Sequence, residues 1–313
     1  MDRLDAMKVF IVALDAGSLA GASRALKRSP AAVSRAIALL ENQVGVPLLH
    51  RTTRSMRLSP AGEHYAAACR RILADLEEAE SVAAGERSAA RGALTLSAPP
   101  IGGEEILQPI LGDFLEAYPA VSARILLLDR HVNLTDEGVD LALRVGNLPD
   151  SSLVAVKVGS DVRRVIVGAP SYLKRLPPIE KPADLAEHQI IAMANFGLGS
   201  WTFPPAPGTA VSRTVPFTPR IEVNSVRAAL SSAISGLGLT RLYSYHLGDK
   251  VADGALKIVL AQDEPAPQPV HLVVQPARMS TARVRAFLDY AVPRLRARFT
   301  QLADEARQME LRG

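Results

Sequence analysis

Apolar residues in the first ninety positions recur at helical spacing. Leu4, Met7, Ile11 and Leu14 stand three and four apart and predict one face of a first helix. Gly17 suits a left-handed helix end, and Ser18 suits the N-cap of the next helix. That second helix, about Leu19 to Leu26, is short and rich in alanine, so neighbouring helices can cross it closely. Ser29-Pro30 reads as an N-cap followed by the first helical residue, where proline has no N–H to lose. A third helix over about Pro30 to Asn42 turns Val33, Ile37 and Leu40 inward. It leaves Ala31, Ala32, Ser34, Arg35 and Ala38 outside.

Ser59-Pro60 repeats the cap signature and opens a long helix. From Pro60 to Ser88 it would span about 43 Å. Tyr65, Cys69, Ile72, Leu76, Ala79 and Ala83 alternate spacings of four and three, as the seam of a coiled coil does. Such a face is buried either by a second copy or by the helix's own head. Dimerisation is the expectation, because a reader with one short recognition helix gains affinity and specificity from two half-sites.

From Gly92 the pattern changes. Ala93 to Ser97 alternates like a strand and Ala98-Pro99-Pro100 ends it. Leu107, Ile110, Leu111, Leu115 and Tyr118 mark a helix, and Val121 to Leu128 a second strand. This β-α-β order predicts a parallel sheet, continued by Val139 to Val145 and Leu153 to Val158. A second set of elements starts at Arg163 to Val167. It includes Trp201 to Phe203, Val211 to Phe217, Ser225 to Ile234 and Leu239 to Tyr243. Val270 to Val274 reads as a late strand and Ala282 to Phe299 as a final helix. The tail from Thr300 to Gly313 is charged and reads as helical or frayed, without a function of its own.

Charge sharpens this division. Residues 1–62 carry nine Arg/Lys and four Asp/Glu, whereas the other 251 residues carry 27 and 28. A basic small domain on a near-neutral body points to a polyanionic partner for the small domain alone. The outward face of the third helix fits that partner. Alanines bring a backbone close to base edges, and Arg35 offers two hydrogen bonds to guanine. A solvated helix of an ordinary bundle is the competing reading, but such a face would normally carry Glu and Lys. After it, Val46-Pro47-Leu48-Leu49 leads into His50 to Leu58, read as a hairpin with a basic tip. Arg51, Thr52, Thr53 and Arg54 there offer donors to phosphates.

These residues together resemble the LysR-type transcriptional regulators. The resemblance is dense through Met1 to Met7, Ala16-Gly17-Ser18-Leu19, Ala25-Leu26, Ser29 to Arg35, Leu40-Glu41, Gly45 to Leu48, His50 to Arg54 and Leu58 to Gly62. It thins through Gly138 to Gly146 and Gly236 to Arg241, reaching about residue 295. It implies an N-terminal all-α winged helix-turn-helix with a long linker helix. Behind these it implies a C-terminal α/β, two-lobed, periplasmic-binding-protein-like effector domain. It further implies homodimers or homotetramers that bind double-stranded operator or promoter DNA and a small-molecule effector in the cytoplasm, with no cofactor and no membrane. The expected bounds are 1–59 for the DNA-binding domain, 60–91 for the linker and 92–299 for the effector domain, with 300–313 as the tail. Lobe I would take about 92–161 and 268–299, and lobe II about 162–267. Many members carry Gln-Pro where this chain has Pro30-Ala31, so base preference does not carry over.

The expected DNA contacts are Ser29, Pro30, Ala31, Ala32, Ser34, Arg35, Arg51, Thr52, Thr53 and Arg54. Ligands of α/β sheets bind at the carboxyl ends of strands. Such ends offer Ser97, Pro100, Arg144, Gly146 and Arg241 as effector candidates; the resemblance implies that Ser225 faces the same cleft, and Ile101, Phe196 and Trp201 would supply an apolar wall. Arg144 is read either as the anchor of an acidic effector or as part of an ion pair with an acid such as Asp140.

Other classes fit poorly. No G-x-S-x-G, P-loop, C-x-x-C or H-E-x-x-H occurs, and the six histidines lie far apart. Gly236-Leu237-Gly238 lacks the third glycine of a dinucleotide loop. One cysteine excludes an intrachain disulfide and fits a reducing compartment. The acidic start carries no secretory pattern, and no apolar run is long enough to span a membrane. The remaining alternative is an enzyme or solute-binding protein with a fused nucleic-acid-binding domain.

Overall fold

The computed structural model describes residues 2–51, 56–83, 90–130, 132–149 and 151–312. They form two compact units. The first runs to Ala93 and includes the short segments 135–138 and 281–283; the second holds the remainder.

In the first unit, α1 (Arg3–Asp15), α2 (Leu19–Leu26) and α3 (Pro30–Val44) precede a hairpin of β1 (Leu49–Arg51) and β2 (Met56–Leu58), then α4 (Pro60–Ala83). The helix starts are chemically marked. Ser18 Oγ accepts from Gly21 N–H, Ser29 Oγ from Ala32 N–H and Ser59 Oγ from Gly62 N–H. Each such cap stabilises by about 1 kcal/mol. Ser59 also donates to Pro47 O at 2.6 Å, tying the start of α4 to the chain before the hairpin. Gly62 is required there, since a Cβ would lie 2.0 Å from Leu48 O.

The core of this unit is Ala6, Val9, Phe10 and Ala13 of α1, packed on Ala22 and on Val33, Ala36, Ile37 and Leu40 of α3. Met7 and Ile11 are buried as their spacing predicts. Leu4 is instead 38% exposed and Leu14 only partly buried. The buried arc is centred on the small residues because α1 is packed by α2, α3 and α4 together.

The linker seam divides. Ala66, Cys69 and Leu73 join the head core, Tyr65 packs beside them and Phe10, and Ile72 is 41% exposed. The expected four-three line thus covers two surfaces. Spacings near four keep Tyr65, Cys69 and Leu73 on one side of a straight helix, over α1, while Ile72 lies off that side. Burial pushes the Cys69 thiol up to about 11. Ala79 and Ala83 lie in α4, but nothing is described of their side chains.

The second unit contains β3 (Gly92–Ala98), α5 (Pro100–Gly102), a π-helical turn (Gly103–Leu107), α6 (Gln108–Ala117), β4 (Val121–Leu127), β5 (Leu141–Val145) and β6 (Val154–Val162). The chain then passes to β7 (Arg164–Gly168), α7 (Pro170–Leu173), β8 (Ile190–Met193), β9 (Ser200–Phe203), β10 (Arg213–Pro216), β11 (Ile221–Val223), α8 (Val226–Ile234), β12 (Leu239–Tyr243) and β13 (Lys257–Val259). It returns through β14 (Gln268–Val274) and ends in α9 (Ala282–Arg312).

Lobe I has the sheet order β4-β3-β5-β14-β6 and lobe II the order β11-β8-β12-β7-β13, with β9 and β10 a separate antiparallel pair. The sheets are mixed, not parallel. β3 and β5 are parallel, as are β11, β8 and β12, but β14 and β7 run against their neighbours. These two strands enter their sheets from the crossovers, so they run opposite to strands that end there. Consequently the carboxyl ends of β5 and β12 lie beside the two crossings, as the pairings Val145 with Val270 and Tyr243 with Arg164 record.

The tail is not frayed over the described residues. α9 continues past Phe299, buries Ala303 and Ala306, and Ala306 O accepts from Arg163 at the first crossing.

Candidate nucleic-acid interface and effector cleft

Four apolar residues of α3 are wholly buried: Val33, Ala36, Ile37 and Leu40. Burial of this side turns Ser29, Pro30, Ala31 and Arg35 to solvent and leaves Ala32 and Ser34 half-buried. Pattern reading missed Ala36, because alanine is compatible with either environment. Arg28 forks onto Asp5 at 2.7 and 2.8 Å, fixing the connection between α2 and α3 against α1. Glu41 accepts from the Leu48 and Leu49 N–H groups at 3.0 and 3.1 Å and so sets the root of the hairpin. Arg51 closes the pairing Arg51 with Met56. Thr52, Thr53 and Arg54 lie outside the described residues.

In lobe I, Ser97 is fully buried near the end of β3, and Pro100 and Ile101 open the helix behind it. Gly146 follows β5 with φ +109, a conformation that suits glycine. Arg144 is 9% exposed and donates to Leu143 O at 3.2 Å. Strand alternation sets Arg144 on the same face as Ala142, which packs with Val132, Leu134, Val139 and Val273. Leu143, on the other face, approaches Gly102, and so does the Tyr245 hydroxyl. Asp140 accepts from Thr95 N–H at 2.8 Å and lies 3.7 Å from Arg278.

Lobe II brings Trp201 and Arg241 together, while Phe196 lies against Tyr243 and the Arg164 guanidinium. The Arg241 guanidinium is 4.8 Å from the Phe203 ring centre and 5.6 Å from that of Trp201, and it donates to Thr202 O. Burial, and then the neighbouring Arg164, push its pKa down to about 10, opposed by Glu264. Ser225 is the N-cap of α8, its Oγ accepting from Ala228 N–H.

Among the contacts that join the lobes are these three. Arg227 of α8 pairs with Glu104 and lies 3.4 Å from Glu105 of the π turn. Asn195 donates to Asp129 O at 2.8 Å. Tyr245 stands at Gly102, and burial pushes its hydroxyl pKa up. Sequence reading named Tyr243 only as the end of a ligand-facing strand and passed over Arg164, Phe203, Arg227 and Tyr245. The available signal for Phe203 and Tyr245 was their closeness in sequence to strand ends.

Comparison with known proteins agrees with this geometry. Residues 4–63 match the family described as bacterial regulatory helix-turn-helix protein, lysR family, and residues 87–296 match the LysR substrate binding domain. An HTH-type transcriptional regulator of Xanthomonas campestris pv. campestris is 33% identical over 92% of this chain and 84% of its own length. The HTH-type transcriptional regulator CrgA of Neisseria meningitidis serogroup B is 29% identical over 92% of this chain and 96% of its own. The solved structure of CrgA from Neisseria meningitidis superposes with a TM-score of 0.58, covering 93% of this chain and 98% of that one at 28% identity. The full-length Vibrio cholerae virulence activator AphB gives 0.59, covering 94% and 99% at 25% identity. An enzyme or solute-binding protein with a fused nucleic-acid-binding domain does not fit these matches. The chain belongs to the LysR family: it is a transcription regulator, not an enzyme, with a helix-turn-helix DNA-binding domain followed by an effector-binding domain.

Proposed function

We propose that the first unit reads double-stranded operator DNA by laying α3 in the major groove. Ser29, Pro30, Ala31, Ala32, Ser34 and Arg35 face the duplex, and Arg51, Thr52, Thr53 and Arg54 hold phosphates. The observation that carries this reading is the division of α3. Its apolar side is fully buried, and its outer side is small apart from one exposed arginine. A solvated helix gains nothing from such a face, whereas a groove-reading helix needs it.

The effector is a small molecule taken up where the strands of the two lobes end. Ser97, Pro100, Ile101, Arg144 and Gly146 lie on one side, and Phe196, Trp201, Ser225 and Arg241 on the other. Lobe movement in response to it alters the spacing of two heads in a homodimer or homotetramer. Ile72 on the exposed side of α4 suits a contact with a second copy. The protein works in the cytoplasm, where its DNA is. No single helix among the described residues is long and apolar enough to cross a membrane.

Arg35→Ala tests the DNA reading. Binding to an operator found by genome-wide mapping should weaken by about 1–3 kcal/mol, and binding to random DNA much less. Equal loss on both, measured by competition gel shift, makes Arg35 a phosphate contact and removes α3 as the reader.

A further inference from the structure

We propose that Arg241 and Arg164 together hold the carboxylate of a small aromatic acid inside lobe II, with its ring against Phe196, Tyr243 and Trp201. The inference rests on the effector reading above and names the ligand class and its anchor.

The argument starts from sheet register. β12 and β7 pair antiparallel, with Tyr243 opposite Arg164 and Arg241 opposite Ile166. Arg241 and Arg164 are therefore diagonal neighbours on one face, close enough for long side chains to meet. Arg241 is 3% exposed. Its planar group is caged by Phe203 and Trp201, while the Arg164 guanidinium lies 5.9 Å from the ring centres of both Phe196 and Tyr243.

The acids of this region are engaged elsewhere. Glu264 accepts two 2.7 Å bonds from Arg163, and Asp263 accepts one of 2.6 Å from Arg213. Four guanidinium groups thus share two carboxylates, and the surplus falls on the Arg241–Arg164 pair. Two neighbouring cations in a low-dielectric interior repel each other, and aromatic faces offset only part of the desolvation. Burial accordingly depresses the Arg241 pKa.

The polar atoms left over have one chemical character. Arg241 Nε, Arg164 Nε and Trp201 Nε1 are buried and have no acceptor. Each of them is a donor only. A carboxylate supplies acceptors alone and a negative charge, so it answers both deficits at once. A neutral amide answers neither fully, and a cation is repelled. The surrounding aromatic rings select a flat apolar body behind that carboxylate. Arg144 is set differently: it stands opposite His271 across the sheet and donates to a backbone carbonyl.

The experiment uses a probe that the chain carries. Trp201 is its single tryptophan and stands beside Arg241, so intrinsic emission reports on this site alone. The full chain is titrated with benzoate, phenylacetate and cinnamate, with benzamide as the neutral counterpart and acetate as a carboxylate without a ring. The proposal expects a saturable emission change with at least one aromatic acid, none with benzamide, and a much weaker one with acetate. Arg241→Met should weaken the binding by about tenfold or more, the loss expected for a charge-assisted fork. Arg294→Met, at an exposed position on α9 over Tyr290, should bind as wild type does. If Arg241→Met does not fold, Arg164→Met, at a half-buried position, carries the same test with a smaller loss. Silence toward all three acids, an equal response to benzamide, or full binding by the arginine variants overturns the proposal. Failure of the effector reading looks different: an aromatic acid then binds at Trp201 without changing operator affinity. Conversely, if some other compound shifts operator affinity while all three acids leave Trp201 silent, the anchor falls and the effector reading stands.

Discussion

The two lobes share one sheet plan but use their aromatic residues differently. In lobe I, Phe114 lies 5.1 Å from Phe287, 5.6 Å from Tyr290 and 4.6 Å from Tyr118, so rings of α6 and α9 meet rings. In lobe II rings also meet, as Phe196 does Tyr243 at 4.9 Å, but Phe196, Trp201, Phe203 and Tyr243 surround buried or half-buried guanidinium groups, whereas Arg294, over Tyr290 in lobe I, is exposed. The first cluster holds helices together by burial and edge-to-face contact. The second surrounds charge, which adds nothing to packing that a hydrocarbon would not supply. Equal topology therefore does not imply equal chemistry. Lobe I gathers rings on rings at this point, whereas lobe II gathers rings around charge, and the proposed ligand anchor rests on that difference.

The largest break in this comparison should come from Phe287→Ala. The ring is fully buried among aromatic neighbours, and its loss should cost about 3–5 kcal/mol. Urea unfolding of the full chain measures this, and Trp201 emission in the folded state should not change.

Next come the ion pairs. Arg163 and Glu264 have side chains 12% and 11% exposed and meet through two short bonds. Glu264→Gln leaves a buried guanidinium uncompensated and should cost about 3 kcal/mol. Asp140→Asn in lobe I should cost less, about 1–2 kcal/mol, because its cation stands 3.7 Å away. A larger loss for Asp140→Asn than for Glu264→Gln, by the same unfolding assay, would reverse the contrast between the lobes.

Acid sharpens the comparison further. Burial holds the His246 pKa down near about 3, from an ordinary 6.5, and its Nδ1 accepts from Tyr243 N–H. Below 6.5 the unfolded chain takes up a proton that the folded chain refuses. Stability is therefore lost as pH falls from 6.5 toward 3, with a slope of at most about 1.4 kcal/mol per pH unit from this group. Above 6.5 the group contributes no slope. His246→Gln should flatten the acid limb. His271→Gln in lobe I should flatten it less, since His271 is only partly buried. Thermal midpoints over this pH range decide the matter, and identical acid limbs for wild type and His246→Gln would remove the assignment.

The smallest effect on stability is expected for Arg241→Met. Exchanging a buried cation for a chain of similar volume is neutral or stabilising, within about 1 kcal/mol here. A loss above about 3 kcal/mol in urea would make Arg241 part of the scaffold, on the footing of Arg163.

Much of the head was legible without coordinates. Ser18, Ser29 and Ser59 cap the helices whose starts they mark, and α2 occupies the predicted Leu19 to Leu26. Capping and the inward face of α3 are local, decided within one or two turns, so they are written in neighbouring residues. The linker was less legible. One apolar line along α4 divides between its own head and an exposed side, because how far α1 reaches along it is a property of packing. The parallel sheets became mixed for a similar reason, since the direction of β14 and β7 depends on where the chain crosses between lobes.

The candidate site follows the same rule. Arg241 could be named from its strand end and Phe196 and Trp201 as an apolar wall; Trp201 stands beside Arg241, and Phe196 beside Tyr243. Their companion Arg164 could not be named, since it sits 77 residues from Arg241 and meets it only through the register of β12 on β7. Arg144 and Arg241 look alike in sequence, each following apolar strand residues. Cross-strand register alone places one opposite His271 and the other diagonal to a second arginine. The sequence by itself determined the helix-turn-helix, its outward face, the two-lobed α/β plan and the family, because these rest on short-range patterns. The tertiary structure decided which charges face one another, because electrostatic partnership depends on distance through space and on burial, and neither is set by separation along the chain.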